Sequence, residues 1–119
     1  MTTKIFDDAI ALRRHLHQHP ELSCQEKETS KTLITKLKAE CAPHQLIEFD
    51  HYGIAAIYKG SQQGRTIMIR GDFDALPIEE INEFEHKSIY QGVSHKCGHD
   101  GHASILYALA RTLNEKPLD

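Results

Sequence analysis

The N-terminal part of the chain carries apolar residues at helical spacing. They are Ile5, Ala9, Leu12 and Leu16. A recurrence close to every 3.6 residues is typical of an amphipathic helix with one buried face. Pro20 disfavours helical geometry at the residue before it. The pattern therefore predicts a first helix over residues 4–18.

Two more helices are predicted further along the chain. Ser23 and Glu26 have the spacing of a capping box, which favours a helix starting at Ser23. Its apolar face would contain Leu33, Ile34, Leu37 and Cys41, and Pro43 would end it. The last helix is expected from about residue 103, with Asn114 and Pro117 ending it. Its apolar face would contain Ile105, Leu106, Leu109 and Leu113.

Three short apolar runs between these helices predict strands. They cover residues 46–49, 53–59 and 66–69, and the run at 66–69 is apolar enough for burial on both faces. Residues 60–64 have turn composition, so the last two runs are predicted to form a hairpin. Helices flanking apolar strands indicate an α/β layered architecture.

Composition narrows the class of protein. The chain has 119 residues, a net charge of −3 and 39% hydrophobic residues, which suits one modest soluble domain. The charge argues against nucleic-acid and anionic-membrane partners, and no apolar run approaches a bilayer span. Three cysteines, an odd number, form no disulfide framework. We therefore expect a reduced protein in the cytoplasm.

Residues 95–102 concentrate the candidate chemistry. Three histidines, one cysteine and one aspartate lie among two glycines, in the order His-Lys-Cys-Gly-His-Asp-Gly-His. Thiolate and imidazole are suitable ligands for zinc and neighbouring divalent metals. Cys97 and His99 are two residues apart, so their side chains could converge on one ion. The competing interpretation is that Cys97 is a small buried apolar residue.

Other polar groups have weaker signals. Asp72 and Asp74 follow the apolar run at 66–69, where open α/β sheets place their sites, although a polar turn explains them equally well. Residues 79–86 are predicted to form an acidic surface loop that could flank a substrate cleft. The histidines near the end of the first helix are interpreted as solvated, because alternate residues do not share a helix face. They are His15, His17 and His19.

Three segments together resemble a known family. They are residues 19–26 (His-Pro-Glu-Leu-Ser and Glu26), residues 70–78 (Arg-Gly-Asp-Phe-Asp-Ala-Leu-Pro-Ile) and residues 92–102, which include Cys-Gly-His-Asp-Gly-His. Their order and spacing resemble the dinuclear metal amidohydrolases of the aminoacylase and carboxypeptidase superfamily, peptidase family M20. The branch indicated is that of hippurate hydrolase, indole-acetyl-amino-acid hydrolase and N-acetyl-diaminopimelate deacetylase.

The resemblance implies roles for individual residues. Cys97 and His99 match the metal ligands of the family, and Asp74 matches a carboxylate that supports the metal centre. Asp100, His102 and Asp72 receive only a supporting or substrate-side role. The complete enzyme is expected to hold two divalent ions, which could be zinc, manganese, cobalt or nickel.

The resemblance also implies a fold, and it implies that the chain is only part of an enzyme. The expected fold is a zinc-peptidase-like α/β domain with helices on a central mixed sheet. Family members are several times longer than this chain. Residues 1–119 are therefore expected to be the N-terminal portion of the catalytic domain, without the lid domain and without the glutamate that acts as general base.

The function implied is hydrolysis of the amide bond of N-acyl amino acids, which would be the small-molecule substrates, in a protein that forms homo-oligomers. Two other interpretations stay open. In one, Cys97 is a nucleophile with His99 or His95 as its base. In the other, the chain is a non-catalytic fragment that binds metal or self-associates. By either family or fragment interpretation, the isolated chain is expected to be inactive.

Overall fold

The computed structural model describes residues 1–118 of the chain. Over these residues the regular elements are, in order, α1 (Thr3–Gln18), α2 (Lys27–Lys36), β1 (Gln45–Glu48), β2 (Ile54–Ile57) and α3 (His99–Glu115). One π-helical turn, Leu37–Cys41, continues α2, and a short 3-10 turn, Asp50–Tyr52, precedes β2. The helix predicted over residues 4–18 is confirmed within one residue.

The core lies where α1 packs against α3 and the end of α2. Its buried members are Leu12, Leu16, Leu33, Cys41, Ala103, Tyr107 and Ala110. Leu12 and Leu16 belong to the apolar stripe that predicted α1, and each is only 2% exposed. Burial of such side chains contributes roughly 1.5–3 kcal/mol apiece, so this contact fixes the position of α3.

The start of α2 differs from the predicted capping box. The helix begins at Lys27, and the side chain of Glu26 caps no backbone N–H. Cys24 has a positive φ of 63°, which turns the chain before the helix starts. The carboxylate of Glu21 instead accepts hydrogen bonds from the backbone N–H of Glu28 at 3.1 Å and of Thr29 at 2.5 Å. A carboxylate at this end of a helix is stabilised by the helix dipole.

The hairpin joins different segments from those predicted. β1 and β2 pair antiparallel, with Gln45 opposite Ile57 and Glu48 opposite Ile54. Residues 66–69 form no strand, and the third predicted strand is therefore wrong for the described chain. Ile67 and Met68 are 83% and 87% exposed, because no other segment among residues 1–118 lies beside them to pair or cover them. The sheet observed is this two-stranded ribbon.

The buried face of α3 also differs from prediction. Ile105 is 66% exposed, whereas the buried positions are Asp100, Ala103, Ser104, Tyr107, Ala108, Ala110 and Arg111. The small residues let α1 approach closely. The two charged residues, Asp100 and Arg111, form hydrogen bonds or ion pairs with side chains on other elements. Hydrophobicity alone therefore indicated the wrong face.

Four polar side chains, which we call the Arg111 cluster, join three elements at one end of α3. The cluster comprises Asp8 on α1, Glu40 in the π-helical turn, and Tyr107 and Arg111 on α3. Arg111 Nη1 lies 3.0 Å from Asp8 Oδ2 and 3.2 Å from Glu40 Oε2. The hydroxyl of Tyr107 donates to Glu40. Arg111 thus pairs with both carboxylates where the helices meet.

Candidate metal-binding segment

The predicted ligands lie on the loop that enters α3. Leu76 and Ser94 exchange backbone hydrogen bonds of 3.0 Å in both directions, which anchors the chain just before the loop. Gly98 then adopts a φ of +86° immediately before His99, the first residue of α3. This left-handed conformation favours glycine. The turn separates Cys97, which is exposed, from His99, whose side chain is only 16% exposed.

The ring of His99 is oriented by Asp74. Nδ1 of His99 lies 2.8 Å from Asp74 Oδ1 and 3.0 Å from the Asp74 carbonyl oxygen. Both neighbours are acceptors, so in the neutral ring Nδ1 carries the proton and Nε2 keeps its lone pair. Histidine ligands of metals commonly have such a carboxylate or carbonyl on the second nitrogen, which sets the tautomer and raises ligand basicity. The structure thus joins two residues that the sequence assigned to one centre.

The other three residues predicted for the site, His102, Asp72 and Asp100, lie in different directions from the loop. His102 is exposed one turn along α3, with its ring centroid 5.5 Å from that of His99. Asp72 faces outward and pairs with Arg70, a residue whose side chain is 74% exposed. Among the hydrogen bonds and ion pairs of residues 1–118, those of Asp72 join it to Arg70 and not to His99 or Cys97. Asp100 points in the other direction, into the protein.

Asp100 belongs to a group that we call the His17 cluster. It is formed by the buried side chains of His17, Glu80 and Asp100 and by Arg13, whose side chain is 44% exposed. Nδ1 of His17 lies 2.8 Å from Asp100 Oδ2, and Nε2 lies 3.0 Å from both oxygens of Glu80. Arg13 Nε also lies 3.0 Å from Asp100 Oδ2. The side chains of Asp100, Glu80 and His17 are 0%, 2% and 5% exposed. A ring between two ionised carboxylates satisfies both when each nitrogen donates.

Glu80 extends this group to the other side of the ligand loop. Lys96 Nζ lies 3.7 Å from Glu80 Oε2. Burial favours a higher pKa for Glu80, but the hydrogen bond from His17 and the charges of His17 and Lys96 outweigh it, so the pKa is lowered. Glu80 is therefore held as a carboxylate in a nearly dry environment, which requires its cationic neighbours.

The burial and pairing of His17 and Glu80 were not predicted from the sequence. His17 was interpreted as solvated, and Glu80 as part of an exposed acidic loop, and both interpretations are wrong. A signal for His17 existed: Arg13 and His17 are four residues apart, beside the apolar stripe of α1. Nothing local distinguishes Glu80 from Glu79, because its partners lie far away in sequence.

His95 lies beside the same cluster. Its ring centroid is 6.2 Å from that of His17, and it is 5% exposed. Burial lowers the pKa of His95 and outweighs the nearby carboxylate of Asp100, which raises it. Neither ring nitrogen has a hydrogen-bond partner among residues 1–118. The ring is thus neutral and buried near the ligand loop.

The donor set fits a divalent metal but is small. Within the described residues 1–118, no three histidine, cysteine, aspartate or glutamate side chains are grouped so that they could hold an ion. Cys97 and His99 offer one sulfur and one oriented nitrogen, the donor types of zinc and cobalt sites.

The helices of residues 1–118 are too short or too polar for any of them to span a membrane.

Comparison with known proteins gives consistent matches. Residues 68–117 match the sequence profile of peptidase family M20/M25/M40. An N-acyl-L-amino acid amidohydrolase of Geobacillus stearothermophilus is 41% identical over 115 residues, covering 97% of this chain and 31% of that protein. The IAA-amino acid hydrolase ILR1-like 2 of Arabidopsis thaliana is 38% identical over 117 residues, covering 94% of this chain and 25% of that one.

A solved structure shows the same fold. The YXEP protein of Bacillus subtilis, described as a dinuclear metal binding peptidase, superimposes with a TM-score of 0.86 at 38% identity. The alignment covers 97% of this chain and 32% of that one. The chain thus spans between a quarter and a third of the length of these relatives. The predicted family resemblance and α/β class are confirmed.

Proposed function

Since the chain belongs to peptidase family M20/M25/M40, we propose that it supplies metal ligands to an enzyme that hydrolyses the amide bond of N-acyl amino acids. The observation that carries the proposal is the 2.8 Å hydrogen bond between His99 Nδ1 and Asp74 Oδ1. It leaves Nε2 of an oriented ring free to ligate. The name of the Geobacillus relative supports the substrate class.

In this proposal Cys97 and His99 hold one of two divalent ions, which could be zinc, manganese, cobalt or nickel. When bound, such an ion supplies Lewis acidity for the substrate carbonyl and lowers the pKa of a water molecule. Asp74 keeps His99 in the ligating tautomer. A ligand thiolate requires Cys97 to be reduced, which favours the cytoplasm as the compartment. Ligation also removes the thiolate that a Cys97 nucleophile would need.

We further propose that the isolated chain turns over no N-acyl amino acid. Residues 1–118 group no third ligand with Cys97 and His99, and Glu80, the buried glutamate beside the loop, is committed to His17 and Lys96. Without a full ligand set and a general base, several factors of ten in rate are lost. Hydrolysis of N-acetyl and N-benzoyl amino acids with added zinc, manganese or cobalt measures this. A metal-dependent rate above about 1 s⁻¹ would contradict it.

The ligand assignment is tested with a matched pair of cysteine variants. Cys97 and Cys24 are both exposed, so serine at either site changes little else. We expect Cys97→Ser to weaken zinc binding by at least about tenfold, because serine does not replace a thiolate ligand. Cys24→Ser should bind as the unaltered chain does. Isothermal titration calorimetry measures both, and equal affinities for the two variants would disprove the assignment.

A second function, association without chemistry, is favoured by one observation. Within residues 1–118, Ile67, Met68 and Ile69 are exposed and pair with no strand. Such a run is a template for pairing with another chain. A second copy of this chain would pair with the same run, giving a homo-oligomer. Light scattering at rising protein concentration, with Met68→Lys for comparison, measures it. A monomer at every concentration would rule this function out.

A further inference from the structure

We propose that His17 is a positioning residue that clamps the ligand loop from both sides. The inference rests on the proposed function, since the loop carries the assigned ligands Cys97 and His99. His17 itself lies on α1, 82 residues before His99 in the printed sequence. It contacts neither assigned ligand but acts through the residues that flank them.

The clamp follows from the contacts at the two ends of the loop. On the C-terminal side, His17 Nδ1 holds Asp100 at 2.8 Å. On the N-terminal side, Nε2 holds Glu80 at 3.0 Å, and Glu80 in turn lies 3.7 Å from Lys96 Nζ. Lys96 and Asp100 are the residues directly before and after Cys97, Gly98 and His99. One imidazole therefore links the residues on both sides of the segment Cys97–His99 to the rigid surface of α1.

Burial makes the two contacts of His17 strong, whereas the 3.7 Å contact from Glu80 to Lys96, whose side chain is 27% exposed, is the weaker part of the link. Asp100 and Glu80 have side chains 0% and 2% exposed, so water does not screen them or replace a lost partner. Without the ring between them, the two buried carboxylates would have only Arg13 and Lys96, both partly exposed, as cationic partners. The loop would then move to expose them, and it carries the ligands with it. Gly98, with its positive φ, provides no stiffness of its own because glycine has wide conformational freedom.

The first test measures the loop without any metal. Hydrogen–deuterium exchange is followed in the full chain and in His17→Gln, whose amide nitrogen can donate to only one carboxylate. We expect exchange over residues 96–102 to rise by at least about tenfold, since a buried charged hydrogen bond is lost. The β1–β2 ribbon should exchange as before. His15→Gln is the matched control, because His15 lies on the same helix and is exposed.

A second variant keeps the test decisive if His17→Gln does not fold. Glu80→Gln preserves shape but removes the charge that links His17 to Lys96, so exchange should rise on the N-terminal side of the loop. Unchanged exchange over residues 96–102 in a folded variant of either kind would overturn the clamp.

A second experiment, with added metal, distinguishes a failure of the clamp from a failure of the proposed function. Cobalt(II) is added to the same proteins, and its d–d and thiolate-to-metal absorption bands report the ligand geometry. We expect His17→Gln to weaken cobalt binding by about tenfold and to alter these bands, with His15→Gln unchanged. If the unaltered chain binds no cobalt, the proposed function fails, while the exchange experiment still decides the clamp. Identical spectra and affinity in His17→Gln would overturn it.

Discussion

The His17 cluster and the Arg111 cluster both join α1 to α3, but they differ in burial. In the His17 cluster the side chains of Asp100, Glu80 and His17 are at most 5% exposed. In the Arg111 cluster, Arg111 is 11% exposed and Glu40 is 34% exposed. Water can therefore reach Glu40 and replace a lost partner there, but it cannot do so at the three buried side chains of the His17 cluster. Similar hydrogen-bond lengths therefore carry different energetic weight in the two clusters.

The largest effect is expected in the His17 cluster. Asp100→Asn removes a buried charge and leaves His17 and Arg13 without their shared partner. Breaking a buried ion pair from one side costs about 3 kcal/mol. We therefore expect the free energy of unfolding, measured by urea denaturation, to fall by about that amount.

Asp72→Asn is the matched control, because Asp72 lies near the same loop but pairs on the surface, with a side chain 41% exposed. Its loss should stay within about 0.5 kcal/mol. Equal losses for the two variants would show that burial does not distinguish these sites.

A smaller effect is expected in the Arg111 cluster. Tyr107→Phe removes the hydroxyl that donates to Glu40 and accepts from Arg111 at 2.9 Å. The ring remains packed in the core, so only the hydrogen bonds are lost, at about 1 kcal/mol. Urea denaturation measures this, with Tyr90→Phe as the control at a 48% exposed position. A loss as large as that of Asp100→Asn would reverse the ranking of the clusters.

The smallest effect is a change in pH dependence. Burial raises the pKa of Tyr107 to about 12, and its hydrogen bond to Glu40 adds to the shift. The phenol of an unfolded chain loses its proton near pH 10, whereas the folded phenol keeps it. The stability contributed by Tyr107 is therefore complete below about pH 10 and is lost as the pH rises towards 12.

Tyr107→Phe should make this alkaline loss of stability less steep. It should not abolish the loss, because burial also raises the pKa of Cys41 to about 11 and that of Tyr58 to about 12. Urea midpoints at several alkaline pH values measure the slope. A slope identical to that of the unaltered chain would contradict the assigned titration.

The sequence predicted local features better than distant contacts. The stripe ending at Leu16 predicted α1 within one residue because it depends only on neighbours along the chain. The strand at 66–69 was wrong because composition does not show whether a pairing partner is present. The bonds from His17 to Asp100 and Glu80 span 83 and 63 residues, and no local pattern encodes such distances.

In the candidate site, too, local motifs were predicted and distant contacts were not. Cys97, His99 and Asp74 were found through motifs that lie within short segments. Their assigned roles stay predictions, although the structure does bring Asp74 to His99. The helix face of α3 was mistaken because Asp100 and Arg111 are buried against charged partners, and hydrophobicity does not reveal such compensated positions.

The positions of the two clusters on α3 have a mechanical consequence. Asp100 and Arg111 are eleven residues apart, which corresponds to about 16 Å along a helix at 1.5 Å per residue. A single contact would allow α3 to pivot about it against α1. Two polar contacts at that separation, together with the apolar contact between the helices, hold the axis of α3 in one direction relative to α1. The orientation of His99 at the start of the helix therefore depends also on Arg111, three turns away.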